Sequence, residues 1–289
     1  MNIPYNKQNL VKIALNAKVD HPRVSGFYVG YDGKGRMPIG TGGIVYSHEI
    51  GDSCMNIAGD HIEPGVSMAN SQTKENHALE TFSCIGNEVK ILSGSQKGAK
   101  GIVTGTHGGV DHTMAYFPKE VIEEMDGTEI FLIKAYGQGM KLDRFPNIHM
   151  MNIDPELFDI MPIDAKDNTL SWPVVTCIPA HLMGSGLGSQ TMMEGDYDIM
   201  TQDEEANEKY GINNLRFGDF VAILDHDCTY GPHYKEGAVS IGVVVHSDSF
   251  TSGHGPGVTV VATTSEKGMI EPRIERDANL KTYIRAISR

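Results

Sequence analysis

Apolar positions along the chain fall in short runs more often than in helical stripes. Residues 5–17 are the exception. Leu10, Val11, Ile13, Ala14 and Leu15 keep a loose helical spacing before a break at Asp20, His21 and Pro22, and predict a helix. Residues 27–31 and 43–47 are short aromatic and β-branched runs around Gly-rich turns. Residues 48–86 lack a period, apart from a brief helical stretch at 75–83. A compact protein uses such a segment either as a set of short strands or as a functional loop. From residue 87 the runs sharpen into NEVKILSG, GIVTGT and HTMAYF, each closed by turn residues, followed by 128–136. Pro118 opens a short helix with Glu120 in its first turn, and Asp154 with Pro155 is a helix start, the Asp as N-cap. The polar stretch 164–168 divides the chain into an N-terminal lobe, 1–165, and a C-terminal lobe, 166–289. In the second lobe, 172–178 and 196–200 are strands and 203–210 is an acidic helical insert. LRFGDFVAILDHD, GAVSIGVVVHSD and GVTVVATTS then predict a meander or small barrel. Both alternating sets of 220–224 are apolar, so that strand is expected to be buried on both faces.

Composition strengthens the β reading. Ile plus Val number 46 against 13 Leu, and 33 of the 289 residues are Gly. β-branched side chains suit a pleated surface, and Gly supplies turns. The fold class is therefore mainly β, two lobes with small barrel-like parts (SH3-like or meander) and a few short helices. A formal charge of −13 argues against nucleic-acid partners, whose phosphates are met by clustered Lys and Arg. No run approaches the roughly 20 apolar residues of a membrane helix, so no membrane partner is expected. The N-terminus shows no apolar signal-peptide core. Cys54, Cys84, Cys177 and Cys228 are far apart without a C-x-x-C pair, which fits reduced thiols and a cytoplasmic location.

Four constellations carry candidate chemistry. In His107-Gly108-Gly109-Val110-Asp111-His112, two histidines flank a four-residue turn. Facing residues in a hairpin bring Cβ atoms about 4.5–5.5 Å apart, close enough to share a metal ion; otherwise the pair decorates a solvated hairpin tip. Asp225-His226-Asp227 ends an apolar strand, where alternation puts both carboxylates on one face as a further metal ligand (Asp225) and an acid–base group (Asp227). Acids are also comfortable where a strand runs into a turn. His246 and His254 flank one connection and can meet. Asp225–Asp227 and the His246 end of the meander are expected at opposite ends, about 20–25 Å apart at ~3.3 Å per residue. In the Gly-rich run at 183–188, successive N–H groups of Gly184, Ser185 and Gly186 are candidates to bind a small anion. That run lacks the Lys-Ser/Thr of a P-loop and is not followed by a helical pattern, so no nucleotide cofactor is expected.

EVKILSGSQKGAKGIVTG has the cadence of a KOW-type strand–loop–strand, a third and RNA-binding reading that the acidic charge disfavours. The runs TFSCIGNEVKILSG, KGIVTGTHGG, AYGQG, IPAHLMGSGLG, GDYDI, LRFGDFVAI, IGVVVHSD and GHGPGVT resemble the bacterial family numbered 4438 among the domains of unknown function. That resemblance spans roughly residues 20–270, and implies a mainly β protein of several lobes without assigning a catalytic residue. IPAHLMGSGLG and EGDYD are also similar to segments of acetamidase/formamidase enzymes. The expected function is a metal-assisted hydrolase of a small amide-like substrate. Its ligands are His107, His112 and Asp225 on a divalent ion, zinc or manganese, with Asp227 as catalytic group. The competing expectation is a non-catalytic module binding a small anion or a protein. The expected partner is a small-molecule ligand, and self-association into a homo-oligomer is compatible with either reading.

Overall fold

The computed structural model describes residues 3–24, 26–185 and 189–287. Six strands carry the first half: β1 (Ile13–Val19), β2 (Gly65–Ala69), β3 (Glu88–Ile91), β4 (Lys100–His107), β5 (His112–Tyr116) and β6 (Ile130–Ala135). They pair antiparallel in the order β1-β6-β3-β4-β5-β2. β2 then returns to β1 through Lys18↔Ala69 and Val19↔Met68, closing a six-stranded barrel. Val66, Met68, Val89, Val103, Phe131 and Ile133 fill it, with Leu79 of helix α1 (Thr73–Phe82) packed against them. Closure leaves no free edge among these strands.

The N-terminal segment is β1, not the helix its spacing predicts. Leu15, Ala17 and Val19 turn inward while Ala14, Asn16 and Lys18 face out, a period of two that the extra apolar Ile13 and Ala14 obscure. The pairing with β6 and β2 that closes the barrel overrides the local helical pattern. The helix starts follow their sequence cues. Asp154 caps the short helix Pro155–Ile160 by accepting from Glu156 N, and Asp203 caps Glu204–Lys209. Residues 172–178 are divided between two strands, Thr169–Val174 and Thr176–Pro179.

The second half is built on an open sheet. Its strands are β7 (His149–Met150), β8 (Thr176–Pro179), β9 (Tyr197–Asp198), β10 (Phe220–Asp227), β11 (His233–Val244) and β12 (Gly257–Thr264). β10, β11 and β12 form an antiparallel meander, β8 runs parallel to β10, and β7 and β9 pair with β12. β10 is apolar on both faces and buried from Phe220 to Ile223, as is Val243 opposite Phe220. The barrel and the sheet share a core in which Ile102 and Met114 meet Phe220, Ile241, Val243 and Val245. At this seam Thr259 Oγ1 of β12 donates to Thr106 O of β4 and accepts from Thr106 N, 3.1 and 3.3 Å. The strand ends on both sides of that seam carry the site.

Candidate metal centre

β4 and β5 hold His107 directly opposite His112, with Gly109 and Asp111 at positive φ in the turn. Both rings are buried, although Gly109, Val110 and Asp111 of the turn between them are exposed. A third residue lies between them. Glu63, with no exposed side chain, accepts from His107 Nδ1 through Oε1 at 2.5 Å and from His112 Nδ1 through Oε2 at 2.9 Å. Gly42 N (3.0 Å) and Ser67 Oγ also bond Glu63 Oε2. His112 Nε2 reaches Asp20 Oδ2 at 2.9 Å. Both nitrogens of His112 are therefore committed to carboxylates, which places it behind His107, in a row Asp20–His112–Glu63–His107. His107 keeps Nε2 for the other side.

That other side is a convergence of imidazoles. His107 stacks on His246 with centroids 4.1 Å apart, and His61 lies 5.6 Å from the first and 5.0 Å from the second. Each of the three has its Nδ1 fixed from behind: His107 by Glu63, His61 by Asp60 Oδ2 at 2.8 Å, and His246 by the carbonyl of Ser247 at 2.8 Å. This is how proteins set the tautomer and aim of metal-binding histidines. One potential ligand atom from each of the three lies within 4.8 Å of the others.

Two carboxylates complete the cluster. Asp196 Oδ1 accepts from Gly108 N at 2.7 Å, which leaves Oδ2 facing His246 Nε2 at 2.7 Å, and Asp198 Oδ1 lies 3.5 Å from the same nitrogen. Yet Asp196 Oδ2, Asp198 Oδ1 and His246 Nε2 are buried without a hydrogen-bonding partner, because none of these approaches is aligned for one. Buried polar atoms are rarely left so, and a shared cation is the arrangement that satisfies all three together. Gly257 leaves the room: a Cβ there would overlap both Asp196 Oδ2 and His246 Nε2. Beyond Asp198, His254 Nδ1 lies 2.9 Å from Oδ2, and His254 Nε2 meets Ser185 Oγ at 2.9 Å.

Local backbone explains how distant segments meet. Residues 61–63 run beside 246–248, with Ser247 N donating to Ile62 O (2.9 Å) and Ile62 N to Ser247 Oγ (2.8 Å). His61 sits at φ 51, a left-handed conformation uncommon outside Gly, and such positions concentrate at functional sites. Strand β9 is fixed on β12 by Tyr197↔Val258 and Asp198↔Gly257.

Glu63 and Asp198 are held ionised, and Asp196 and Asp198 outweigh burial to hold His246 well above the usual imidazole range. Burial by itself would raise the Glu63 carboxyl, but His112 and His107 hold it well below the usual carboxylate range. Burial likewise opposes ionisation of Asp198, and His246, His254 and His61 overcome it. For His112, burial is outweighed by Glu63 and Asp20, which lift it to about 9. Burial, reinforced by the nearby His246, depresses His107 and keeps its imidazole neutral, the form that binds metal. Among the described residues the charged partners of Asp60, Glu63, Asp196 and Asp198 are histidines alone. His61, His107, His254, Ser185, Thr41 and Val110 line a cleft of about 440 Å³ over the cluster.

The remaining sequence candidates lie elsewhere. Asp225 sits at φ 56 in a bulge between Leu224 and His226 that breaks the expected alternation, and its Oδ1 accepts from Gly237 N at 2.7 Å. Asp227 Oδ1 accepts from Thr229 N, Thr229 Oγ1 and Thr263 Oγ1. Asp227 pairs with His233 while Phe220, at the other end of β10, pairs with Val243. Asp225 and Asp227 thus lie five and seven residues, roughly 17 and 23 Å, along the strand from the seam. The structure does not bring them to the cluster. Gly184 N and Ser185 N donate to Asp198 O and Gly253 O, so these amides are not free to cradle an anion. Gly184 is needed for packing, since a Cβ there would strike Gly253 O, and Ser185 contributes its hydroxyl to the cleft instead. Gly186 lies outside the described residues. Sequence reasoning missed His61, Glu63, Asp196 and Asp198 as site residues. His61 and Glu63 lie in the aperiodic 48–86 segment, and Asp196-Tyr197-Asp198 has the same D-x-D spacing as the pair at 225 and 227.

No curated protein matches the sequence. A solved structure described as the crystal structure of TM1086 is similar at 44% identity and a TM-score of 0.92, over 98% of this chain and 99% of that one. Two family models cover most of the sequence: residues 27–159 match the N-terminal, and residues 160–284 the C-terminal, domain of unknown function DUF4438. With both halves matched and their strand ends meeting at one His/Asp cluster, the chain belongs to the DUF4438 family.

Proposed function

We propose that the protein is a metal-dependent hydrolase of a small, neutral, amide-like substrate. The observation that carries this reading is the trio of buried atoms Asp196 Oδ2, Asp198 Oδ1 and His246 Nε2, mutually close yet without hydrogen bonds, beside the inward-facing His107. A divalent ion at this cluster, on the side where His107 meets the cleft, would supply a Lewis acid for a carbonyl oxygen and lower the pKa of a bound water towards neutrality. The protein's own groups do the rest. Glu63 holds His107 in one tautomer, and His112, anchored on Asp20, holds Glu63. Thr41, Val110 and Ser185 bound the cleft above the cluster, and its lining contains no Lys or Arg among the described residues. An anionic substrate would find no ammonium or guanidinium there, whereas a small neutral amide needs only a polarised carbonyl and a hydroxyl partner such as Ser185.

The test is ammonia release from a panel of short primary amides, formamide and acetamide among them, by protein loaded with zinc or manganese. Hydrolysis that a chelator removes and added metal restores is the expected result. A metal-loaded protein that releases no ammonia from any member of the panel contradicts the reading.

A further inference from the structure

The potential ligand atoms form three overlapping sets, each with all its atoms within 4.8 Å: Asp196, Asp198 and His246; His61, His107 and His246; and His61, Asp198 and His254. Asp198 belongs to two of them, and it does so through different oxygens. Oδ1 faces His246 Nε2 at 3.5 Å, while Oδ2 faces His254 Nδ1 at 2.9 Å and His61 Nε2 at 3.6 Å. Donors at metal–ligand distances of about 2.0–2.2 Å lie no more than ~4.4 Å apart around one ion. A carboxylate whose two oxygens point into two such sets is placed to bridge a two-metal site, in which ions stand about 3.5–4 Å apart.

On the His254 side the contacts converge on one carboxylate oxygen, Asp198 Oδ2, which Gly255 N also approaches at 3.3 Å. His61 Nε2 and His254 Nδ1 face each other at 3.2 Å, and both face Asp198 Oδ2. The remaining nitrogens are occupied, His61 Nδ1 by Asp60 and His254 Nε2 by Ser185 Oγ. The two sets also differ in exposure. Asp196 and His246 are wholly enclosed, but His61 and His254 line the cleft, leaving positions there for water or substrate.

We propose that the site is binuclear, with Asp198 bridging an enclosed ion on Asp196 and His246, backed by His107, and a cleft-facing ion on His61 and His254. This rests on the metal-dependent reading above and deepens it. The enclosed ion anchors the site, and the amide carbonyl meets the cleft-facing ion beside Ser185.

Manganese(II) titration of the metal-stripped, untagged protein, followed by low-temperature electron paramagnetic resonance, tests it. The expected result is two Mn(II) per chain with the exchange-coupled spectrum of a pair, falling to one per chain with an isolated-ion spectrum in both His254→Gln and His61→Gln. Near-ultraviolet circular dichroism matching wild type shows that these variants are folded. One Mn(II) per chain in wild type, unchanged in His254→Gln, overturns the binuclear assignment and leaves the mononuclear reading standing. Two uncoupled ions overturn the Asp198 bridge. No bound Mn(II) at all, repeated with zinc by elemental analysis, overturns both.

Discussion

Two places in the molecule carry the same kind of residues and have different environments. At the seam, His107 and His112 end a hairpin, and around them Asp20, Glu63, Asp60, Asp196 and Asp198 arrive from three other segments. At the far rim of the open sheet, Asp225, His226 and Asp227 end a strand equally rich in acid and imidazole. There each carboxylate finds local donors: Gly237 N for Asp225, Thr229 and Thr263 for Asp227. The rim acids complete a bulge and a turn; at the seam Asp196 Oδ2 and Asp198 Oδ1 are left without a donor, while their other oxygens accept from Gly108 N and Gly255 N. On the reading proposed above, the seam would hold a metal because ordinary hydrogen bonds are withheld from two of its carboxylate oxygens, and the carboxylates of the two regions differ in satisfaction, not in kind.

The sharpest way to break this comparison is to fill the space at the seam. Gly257→Ala puts a methyl where Asp196 Oδ2 and His246 Nε2 lie, so metal binding should fall below detection in equilibrium dialysis while the fold persists. Next in size is Glu63→Gln. Removing one partner from a buried charge network costs about 3–5 kcal/mol, to be read as a lowered denaturant midpoint, and frees the His107 ring to turn. Smaller effects should follow at His112, which touches the cluster only through Glu63: His112→Gln should weaken metal affinity about 10–100-fold, the usual cost of a supporting residue.

The same residue gives the seam a pH signature. His112 is lifted to about 9 from an ordinary value near 6.5. A base with a raised folded-state value stabilises fully below its unfolded value and loses that contribution as pH rises through its folded one. Stability should therefore decline between about pH 7 and pH 9.5 by up to roughly 3 kcal/mol, and His112→Gln should flatten the decline in pH-dependent urea melts. The rim supplies the smallest effect. Asp225→Asn and Asp227→Asn should leave metal stoichiometry and affinity unchanged and cost about 1 kcal/mol each at most. A loss of metal in either would erase the distinction between the two regions.

Much of the β architecture was legible because its causes are local. Alternation and turn residues mark β4, β5 and the meander, and Asp154 with Pro155 announces its helix by a side-chain cap. The helical reading of residues 5–17 failed because closure of a barrel decides β1, and closure is a contact between residues about 50 apart in sequence. The site was half legible for a similar reason. The turn spacing of His107 and His112 suggests a shared metal ion, but the group between their Nδ1 atoms is Glu63, which the spacing does not reveal. Asp196-Tyr197-Asp198 and Asp225-His226-Asp227 are equal as strings. They are separated by β9 lying on β12 beside Gly257, and by a bulge that turns Asp225 to Gly237. His61 and Glu63 stand in a stretch with no period, and only its backbone bonds to 246–248 show why the chain is shaped that way.

The central claim is that a cation belongs among Asp196, Asp198 and His246. Anomalous diffraction from crystals of untagged protein grown with zinc, recorded on both sides of the zinc edge, tests it most directly. The account predicts an edge-dependent peak at bonding distance from Asp196 Oδ2 and His246 Nε2. Edge-dependent density confined to other residues, with a water or nothing between those atoms, would contradict it.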